Sequence, residues 1–394
     1  MKERNQLQHI VEVISNYNCD SPLSVFLKNY FQQHRNMGSN DRRMMRSFVY
    51  NYFRLRNSLK NLSMEEQIAI GSFLVLKNNI PLLDYCIRNF STVLPEHISF
   101  STDEKIKIIS QAYPEFNLNN IFPFQHYLSN EISADDFYKS FLVQPDAWLR
   151  VRKNFKENVL KELSKNNIAF KGYQGMPLAL SIDNSVALNN LKSFEKGYFE
   201  IQDVSSQKTG IFFQPNENEH WWDCCAGSGG KSLLLSEQAE NLKITASDNR
   251  DSILENLRKR FSKANIKNFA IKKTDLLTAG RQLPDANCYD GIIADVPCSG
   301  SGTWSRTPEM LTCFDESELE EYSNTQKEIL KNISPYLKKG KPLIYITCSV
   351  FKNENENIVE FAVNALGFQL NKMELIKGYD KKADTLFVAR LIKK

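Results

Sequence analysis

After about residue 200 the sequence alternates between short apolar segments and amphipathic ones. Five segments read as strands because they are short, apolar and end in turn residues. They are HWWDCCA, KITASD, FAIKKTD, DGIIADVP and PLIYITCS. Helical patterns separate them, for example SILENLRKRFSKA, with Ile253, Leu257 and Phe261 at helical spacing. The alternation predicts a doubly wound α/β domain with a parallel sheet over residues 201–394.

The first part of the chain, residues 1–135, shows helical spacing instead and predicts an all-α domain. In the segment SNDRRMMRSFVYNYFRLRNSL, Ser39, Asn40 or Asp41 is available to cap the start of a helix. The predicted buried face of this helix consists of Met45, Phe48, Tyr52, Leu55 and Leu59. Residues 136–200 contain short strand-like pieces, and seven Lys or Arg against two Glu lie between Arg150 and Lys171. We expect a small basic α/β subdomain there.

A second face of the same predicted helix carries Arg42, Arg46, Tyr50 and Arg54 at four-residue steps. Two interpretations are open. The row is either a solvated helix face or a basic stripe that follows the phosphates of a nucleic acid.

Composition sets broad limits on the class of protein. Of 394 residues, 42% are hydrophobic and 24% charged, as in ordinary globular proteins, and the formal net charge is +4. No apolar run has membrane-spanning length, and the first residues show no signal peptide. The eight cysteines include no C-x-x-C pair, so neither a disulfide scaffold nor a zinc site is indicated. We expect a monomer in the reducing cytoplasm, without a membrane or metal partner.

The stretch ADVPCSGSG presents chemically active residues just after a predicted strand. Asp295 lies at the strand's end, and Pro297 stops the ladder before the thiol of Cys298. Gly300 and Gly302 then allow the backbone to approach another group closely. The last predicted strand ends in YITCS, which places Cys348 in the same way. Because these two strands should be neighbours about 5 Å apart, both thiols should reach one substrate.

The glycine-rich turn DCCAGSGGKS follows the first predicted strand. Its spacing matches neither the dinucleotide fingerprint nor a triphosphate-binding loop. Asp248 ends the second strand and could accept hydrogen bonds from a ribose, while Asp275 ends the third and could contact an adenine amino group. This combination favours S-adenosylmethionine (SAM) over NAD.

Several motifs resemble the RsmB/Sun family of SAM-dependent RNA (cytosine-5) methyltransferases. DCCAGSGGK is similar to the family's D-x-C-A-A-P-G-G-K loop, DVPCSG to D-A-P-C-S-G, and Thr347-Cys348-Ser349 to T-C-S. GYFEIQDVSSQ resembles the family's entry motif. The N-terminal helices resemble the NusB-type RNA-binding domain of RsmB-like members. The chain departs from the family at Gly227 and Ser228, where Ala and Pro are usual, and at DTLFVA, which lacks the glycine of D-G-F-F.

The resemblance implies a reaction and a set of roles. A cytosine in RNA, foremost in small-subunit ribosomal RNA, would become 5-methylcytosine through a covalent adduct with Cys348. Asp295 would contact the ring at N3, Cys298 would assist proton removal and release, and Lys231 would position the base or Asp295. Gly300 and Gly302 would admit the base. The implied cofactor-binding residues are Cys225, Ala226, Gly227, Ser228, Gly229, Gly230, Lys231, Asp248, Arg250, Asp275 and Asp295.

Other functions stay open at this point. One is methylation of another RNA, such as transfer RNA. A second is a catalytically silent RNA-binding scaffold, although the intact Asp295, Cys298, Cys348 and Lys231 speak against decay. DNA cytosine methylation also uses a Pro-Cys thiol, but the second cysteine and the basic helical N-terminus argue against it.

Overall fold

The strands and helices were assigned from a computed structural model, which describes residues 2–91, 93–95, 98–278 and 286–394. The helices are α1 Lys2–Asn16, α2 Leu23–Gln33, α3 Ser39–Leu55, α4 Met64–Val75, α5 Pro81–Phe90, α6 Thr102–Ala112, α7 Ala134–Ser140, α8 Lys156–Lys165, α9 Lys192–Glu195, α10 Val204–Lys208, α11 Gly230–Ser236, α12 Asp251–Lys263, α13 Met310–Cys313, α14 Glu318–Ile333 and α15 Glu356–Leu366. The strands are β1 Ala147–Val151, β2 Phe170–Tyr173, β3 Met176–Ile182, β4 Phe199–Ile201, β5 His220–Asp223, β6 Lys243–Asp248, β7 Phe269–Lys273, β8 Gly291–Asp295, β9 Pro342–Thr347, β10 Phe368–Ile376 and β11 Leu386–Lys393.

The chain divides into two compact units. The first contains residues 1–126, 133–144 and 304–315, and the second contains the remainder. The division into domains 1–135, 136–200 and 201–394 stays a prediction. Among the described residues, no helix combines the length and the apolar character needed to cross a membrane.

The first unit is built from helices, as the spacing of its apolar residues predicts. All five residues of the predicted buried face are buried, four of them on α3 and Leu59 just beyond its end. The expected side-chain cap is wrong, however, because α3 begins at Ser39 and its N-cap residue is Gly38, which has no side chain to offer. Asp41 instead lies in the first turn, where a negative charge is favourable. A disulfide joins Cys19 to Cys313 within this unit, a pairing that the cysteine spacing did not indicate.

The second unit contains two sheets. A four-stranded antiparallel sheet of order β2-β3-β1-β4 packs with α8 and α9 and corresponds to the predicted small α/β region. The larger sheet has the order β10-β11-β9-β8-β5-β6-β7. The five consecutive strands β9, β8, β5, β6 and β7 are parallel and match the five predicted ones, whereas β10 and β11 add an antiparallel edge that the sequence analysis did not predict.

The connections of the larger sheet locate a site. From β5 the chain runs outward through β6 to β7, and then returns to β8 on the other side of β5. The strand order therefore reverses between β5 and β8, and a crevice opens at the carboxyl ends of the strands beside such a reversal. Both faces of the sheet are covered by apolar clusters, which hold the strand ends in place.

Candidate active site

Two thiols lie together at the carboxyl edge of the larger sheet. As predicted, β8 and β9 are neighbours, with Asp295 paired to Ile346. Cys298 follows β8 and Cys348 follows β9, and their sulfur atoms are 3.3 Å apart. Neither belongs to a disulfide. The hydrogen bond to Cys348, together with burial, raises the pKa of the Cys298 thiol well above its usual value.

Lys231 and Asp295 form an ion pair beside these thiols. Lys231 lies in the first turn of α11, and its Nζ is 2.7 Å from Asp295 Oδ2 at the end of β8. Burial alone would lower the pKa of Lys231, but the nearby Asp295 carboxylate outweighs it and the pKa is raised. The lysine is therefore a fixed cation at this edge of the sheet.

A cavity of about 710 Å³ opens onto the thiols and the ion pair. Nearly all residues proposed from the family resemblance line it. Those are Cys225, Ala226, Gly227, Ser228, Gly230, Lys231, Asp248, Arg250, Asp275, Asp295, Cys298 and Cys348. The exception is Gly229, which lies behind the loop against Leu257 and Phe261. The volume is within the range of small-molecule sites.

The glycine loop is tied to the end of β6. The N–H of Gly227 donates to Asp248 Oδ2 at 3.0 Å, and the backbone of Gly227 is left-handed, with φ 52°. Arg260 donates from Nη1 to the carbonyl and hydroxyl oxygens of Ser228 at 2.8 and 2.6 Å. Sequence analysis missed Arg260, because nothing in an amphipathic helix marks one of its many cations as a loop anchor.

Asp248 is held in its charged form. Although burial opposes ionisation, hydrogen bonds from the side chain and N–H of Arg250 lower the pKa of Asp248. Arg250 itself is largely exposed. Asp275 is exposed at the rim of the cavity, where Oδ1 accepts a hydrogen bond from the N–H of Leu277.

Asp223, the last residue of β5, lies buried beneath the site. Its Oδ2 accepts a hydrogen bond from Ser232 Oγ at 2.6 Å, whereas Oδ1 has no partner among the described residues. Burial raises the pKa of Asp223 to about 7, and the charge of Asp295 adds to this effect. The charge of this carboxyl group is therefore sensitive to pH near neutrality.

Gly302, in the loop after Cys298, contacts a different group from the one predicted. A Cβ on Gly302 would lie 2.0 Å from the carbonyl oxygen of Thr385, so only glycine fits. Gly302 also donates from N–H to the carbonyl of Cys348 at 2.9 Å and accepts from the N–H of Thr385 at 2.9 Å. The close approach expected at Gly302 is therefore made by the protein's own backbone, and not by a substrate base.

The predicted basic stripe on α3 is wrong at Arg54. That side chain is 1% exposed and donates to the carbonyl of Phe141 and to Gln144 Oε1, both at 2.8 Å. Helical spacing correctly placed these residues on one face of α3, but the C-terminal end of that face is buried.

Arg42 and Arg46 instead line a cleft of about 310 Å³ with Lys28 and Arg35. None of the described residues that line this cleft is acidic. The Nε of Arg42 is buried without a hydrogen-bond partner among the described residues. The guanidinium of Arg46 lies over the ring of Phe31, 5.8 Å from its centroid. We call these four cations the cationic cleft.

One group of side chains in the described residues has the composition of a metal site. His9, Glu12 and His34 offer ligand atoms within 4.8 Å of one another. The hydroxyl of Tyr30, however, donates to Glu12 at 2.7 Å and bonds His9 Nδ1 at 2.6 Å. His34 Nδ1 bonds the carbonyl of Tyr30 at 2.9 Å. Hydrogen bonds thus account for the arrangement of this group.

The sheet with its reversal at β5, the glycine loop and the acids at the strand ends define a Rossmann-like methyltransferase domain. Residues 210–390 match the model of the family described as 16S rRNA methyltransferase RsmB/F. Over residues 210–390 this chain therefore resembles the RsmB/F family of methyltransferases.

Individual proteins agree with this assignment. The ribosomal RNA small subunit methyltransferase B of Cronobacter sakazakii is 30% identical over 270 residues, which are 64% of this chain and 60% of that protein. The chain spans half to three fifths of the length of the curated relatives it matches.

Solved structures share the fold. The crystal structure of PH0851 has a TM-score of 0.74 and 19% identity, covering 98% of this chain and 97% of that one. NSun6 from Pyrococcus horikoshii, solved with SFG, has a TM-score of 0.59 and 18% identity, covering 68% and 95% of the two chains.

Proposed function

We propose that this protein transfers a methyl group from SAM to carbon 5 of a cytosine in RNA, and that small-subunit ribosomal RNA is the substrate. The observation that supports this best is the pair of sulfur atoms of Cys298 and Cys348, 3.3 Å apart at the mouth of the cavity. Carbon 5 of cytosine is a poor nucleophile until a thiolate adds to carbon 6. Two adjacent thiols allow one to add to the ring and the other to assist in releasing it.

The residues of the cavity fit SAM. A Cβ on Gly227 would meet no neighbour, so a ligand can approach the loop backbone there. The Asp248 carboxylate, kept charged by Arg250, suits the hydroxyl groups of a ribose, and Asp275 at the rim suits an amino group. When bound, SAM supplies an electrophilic methyl group. The loop 225–231 with Asp248, Arg250 and Asp275 would hold it.

The charges around the two thiols differ and support Cys348 as the nucleophile. The Lys231 cation interacts with the charge of Cys348, and a nearby cation stabilises a thiolate. The hydrogen bond to Cys348, burial and the nearby Glu354 carboxylate raise the pKa of Cys298, which disfavours a thiolate on Cys298. These charges support the proposal that Cys348 is the nucleophile.

The ring chemistry follows from these assignments. The Cys348 thiolate forms a bond to carbon 6, and the electrons of the 5,6 double bond move toward N3. The Lys231 cation, hydrogen-bonded to Asp295, stabilises the charge at N3, while carbon 5 becomes nucleophilic enough to take up the methyl group. After methyl transfer, Cys298 gives up its own proton to solvent and takes the carbon-5 proton in its place, which restores the double bond and expels the Cys348 thiolate.

Single substitutions of the thiols test this assignment. Cys348→Ala should abolish methylation and leave no covalent RNA complex, because the nucleophile is missing. Cys298→Ala should form the adduct but release it poorly, so a protein–RNA species should survive denaturing electrophoresis. Cys288→Ala is the matched control, since Cys288 does not line the cavity.

The double variant Cys298→Ala/Cys348→Ala should lose the trapped species. Adduct in Cys348→Ala and none in Cys298→Ala would reverse the roles. Unchanged methylation in both single variants would exclude covalent catalysis by these thiols.

RNA contact is proposed for the cationic cleft. Four cations around about 310 Å³, without a lining acid in the described residues, repel one another and favour a polyanion. RNA supplies regularly spaced phosphates, and Arg42 Nε offers a donor without a partner in the described chain. We propose that the reaction takes place in the cytoplasm, where ribosomal RNA is available.

Bisulfite sequencing and calorimetry distinguish this proposal from its two alternatives, a transfer RNA substrate and a silent RNA-binding scaffold. Bisulfite sequencing of total RNA from a strain lacking this protein should show loss of one cytosine modification in small-subunit ribosomal RNA. Loss of a cytosine modification in a transfer RNA instead would identify transfer RNA as the substrate. If no site changes and the purified protein does not bind SAM in calorimetry, the protein is a silent RNA-binding scaffold.

A further inference from the structure

Each of the two cysteines is followed by a serine, and both serines bond the same buried carboxylate. Ser299 Oγ and Ser349 Oγ each donate to Glu354 Oε2 at 2.5 Å. The N–H of Ser299 also donates to Glu354 Oε1 at 2.8 Å. Glu354 is 0% exposed, so no solvent competes for these bonds. One side chain therefore joins the loop after β8 to the loop after β9.

Glu354 is itself held by α14 and β9. Gln326 of α14 donates from Nε2 to Glu354 Oε1 at 3.1 Å. The hydroxyl of Tyr345, within β9, donates to the carbonyl of Glu354 at 2.6 Å. Ser301 Oγ bonds both Ser299 Oγ and Ser349 Oγ at 3.1 Å, which closes the network. These hydrogen bonds hold the Glu354 carboxylate in place, and it can therefore hold the two loops in place.

The same carboxylate is also a charge close to one thiol. Burial raises the pKa of Glu354, but hydrogen bonds from Ser299, Ser349 and Gln326 favour its ionised form. Its charge disfavours a thiolate on Cys298, in addition to the hydrogen bond with Cys348 and to burial. Lys231 and Asp295 are the charged groups on the other side of the thiol pair.

We propose that Glu354 is a positioning residue that holds the two cysteine loops in register, so that the sulfur atoms lie side by side. The inference rests on the proposed function only for the roles of the thiols. The spacing and protonation of the thiols can be measured on the full chain without RNA or SAM.

The experiment compares Glu354→Ala and Glu354→Gln with the parent protein. Under mild oxidation with diamide, the parent should form the Cys298–Cys348 disulfide rapidly, because the sulfur atoms are already adjacent. Glu354→Ala leaves four donors without their acceptor, so the loops should separate and the disulfide should form roughly tenfold more slowly. Glu354→Gln keeps the shape of the side chain, and its rate should fall between those of the parent and Glu354→Ala. Glu356→Gln, two residues further along the chain, is the matched control.

The second measurement is the pH dependence of alkylation of each cysteine, followed by mass spectrometry. Cys298 should react at lower pH in Glu354→Gln than in the parent, because a negative neighbour has been removed. Unchanged disulfide formation and unchanged alkylation in both variants would overturn the proposal.

If Glu354→Ala does not fold, Ser349→Ala removes one link only and should slow the disulfide by a smaller factor. An unchanged rate in Ser349→Ala would then count against the proposal. If methylation is never detected but these thiol effects appear, the proposed function fails while the role of Glu354 stands.

Discussion

Replacement of Asp223 by asparagine should remove a pH-dependent loss of stability. Asp223 is fully buried at the end of β5, and burial raises its pKa to about 7. Ser232 donates to Oδ2, and Oδ1 has no partner in the described chain. An asparagine keeps an acceptor for Ser232 and leaves the second atom as unpartnered as before. The substitution therefore changes the charge more than the hydrogen bonds.

The sign of the effect follows from proton uptake. In the unfolded chain the carboxyl group titrates near 3.8, whereas in the folded chain it titrates near 7. Between these values the folded state binds the extra proton, so stability falls as pH rises and the loss is complete above about pH 7. From about pH 5.5 to about pH 8 the parent should lose on the order of 2 kcal/mol relative to Asp223→Asn.

Urea denaturation followed by tryptophan fluorescence can measure this difference. Trp221 and Trp222 immediately precede Asp223 and are buried, so their emission reports on unfolding around the site. The control is Asp290→Asn, because burial is outweighed by the hydrogen bonds from Lys338 and the N–H of His220 together with the charges of Lys338 and Lys341, and the pKa of Asp290 is lowered. Its contribution changes only at more acidic pH. Equal pH dependence of the parent and Asp223→Asn across the window would refute the reasoning.

Further substitutions test the cofactor and RNA sites. Asp248→Ala should weaken SAM binding about 10- to 100-fold in calorimetry, since a charged hydrogen bond contributes roughly 1.5–3 kcal/mol; Asp251→Ala, exposed just beyond it, should not. Unchanged affinity in a folded Asp248→Ala would remove it from the site. Reversing Arg42 and Arg46 to glutamate should weaken RNA binding and reduce the salt dependence by about 0.7–0.9 per lost phosphate contact. Arg43→Glu, exposed on the same helix, is the control. An equal salt dependence of RNA binding in the parent, in the Arg42 and Arg46 reversal and in Arg43→Glu would exclude the cationic cleft as an RNA site.

The sequence predicted the central sheet and the meeting of the two thiols for one physical reason. Parallel strands in a doubly wound sheet bring their carboxyl ends to the same edge. A residue just past one strand therefore lies near a residue just past the neighbouring strand. Cys298 and Cys348 obey this rule, and so does the pairing of Asp295 with Lys231 at the start of α11, the helix that follows the neighbouring strand β5. Such predictions need only local pattern and topology.

The predictions that failed depended on tertiary contacts. Arg54 has the helical spacing of a surface residue, but the carbonyl of Phe141 makes it a buried anchor. Gly302 lies in a loop that suggested substrate contact, but the backbone of Thr385, far along the chain, fills the space. Spacing within one segment cannot show which distant segment packs against it.

Glu354 illustrates how chemistry in the site can depend on a residue without a local signal. In the sequence it is one of two glutamates in the polar stretch KNENEN, where α15 begins. Its importance follows from two serines that each come directly after a cysteine, and from a fold that makes β8 and β9 adjacent. The hydrogen bond to Cys348, burial and Glu354 raise the pKa of Cys298, whereas the Lys231 cation interacts with Cys348. The proposal that Cys348 is the nucleophile therefore rests on the different charges on the two sides of the pair, rather than on any difference between the cysteines.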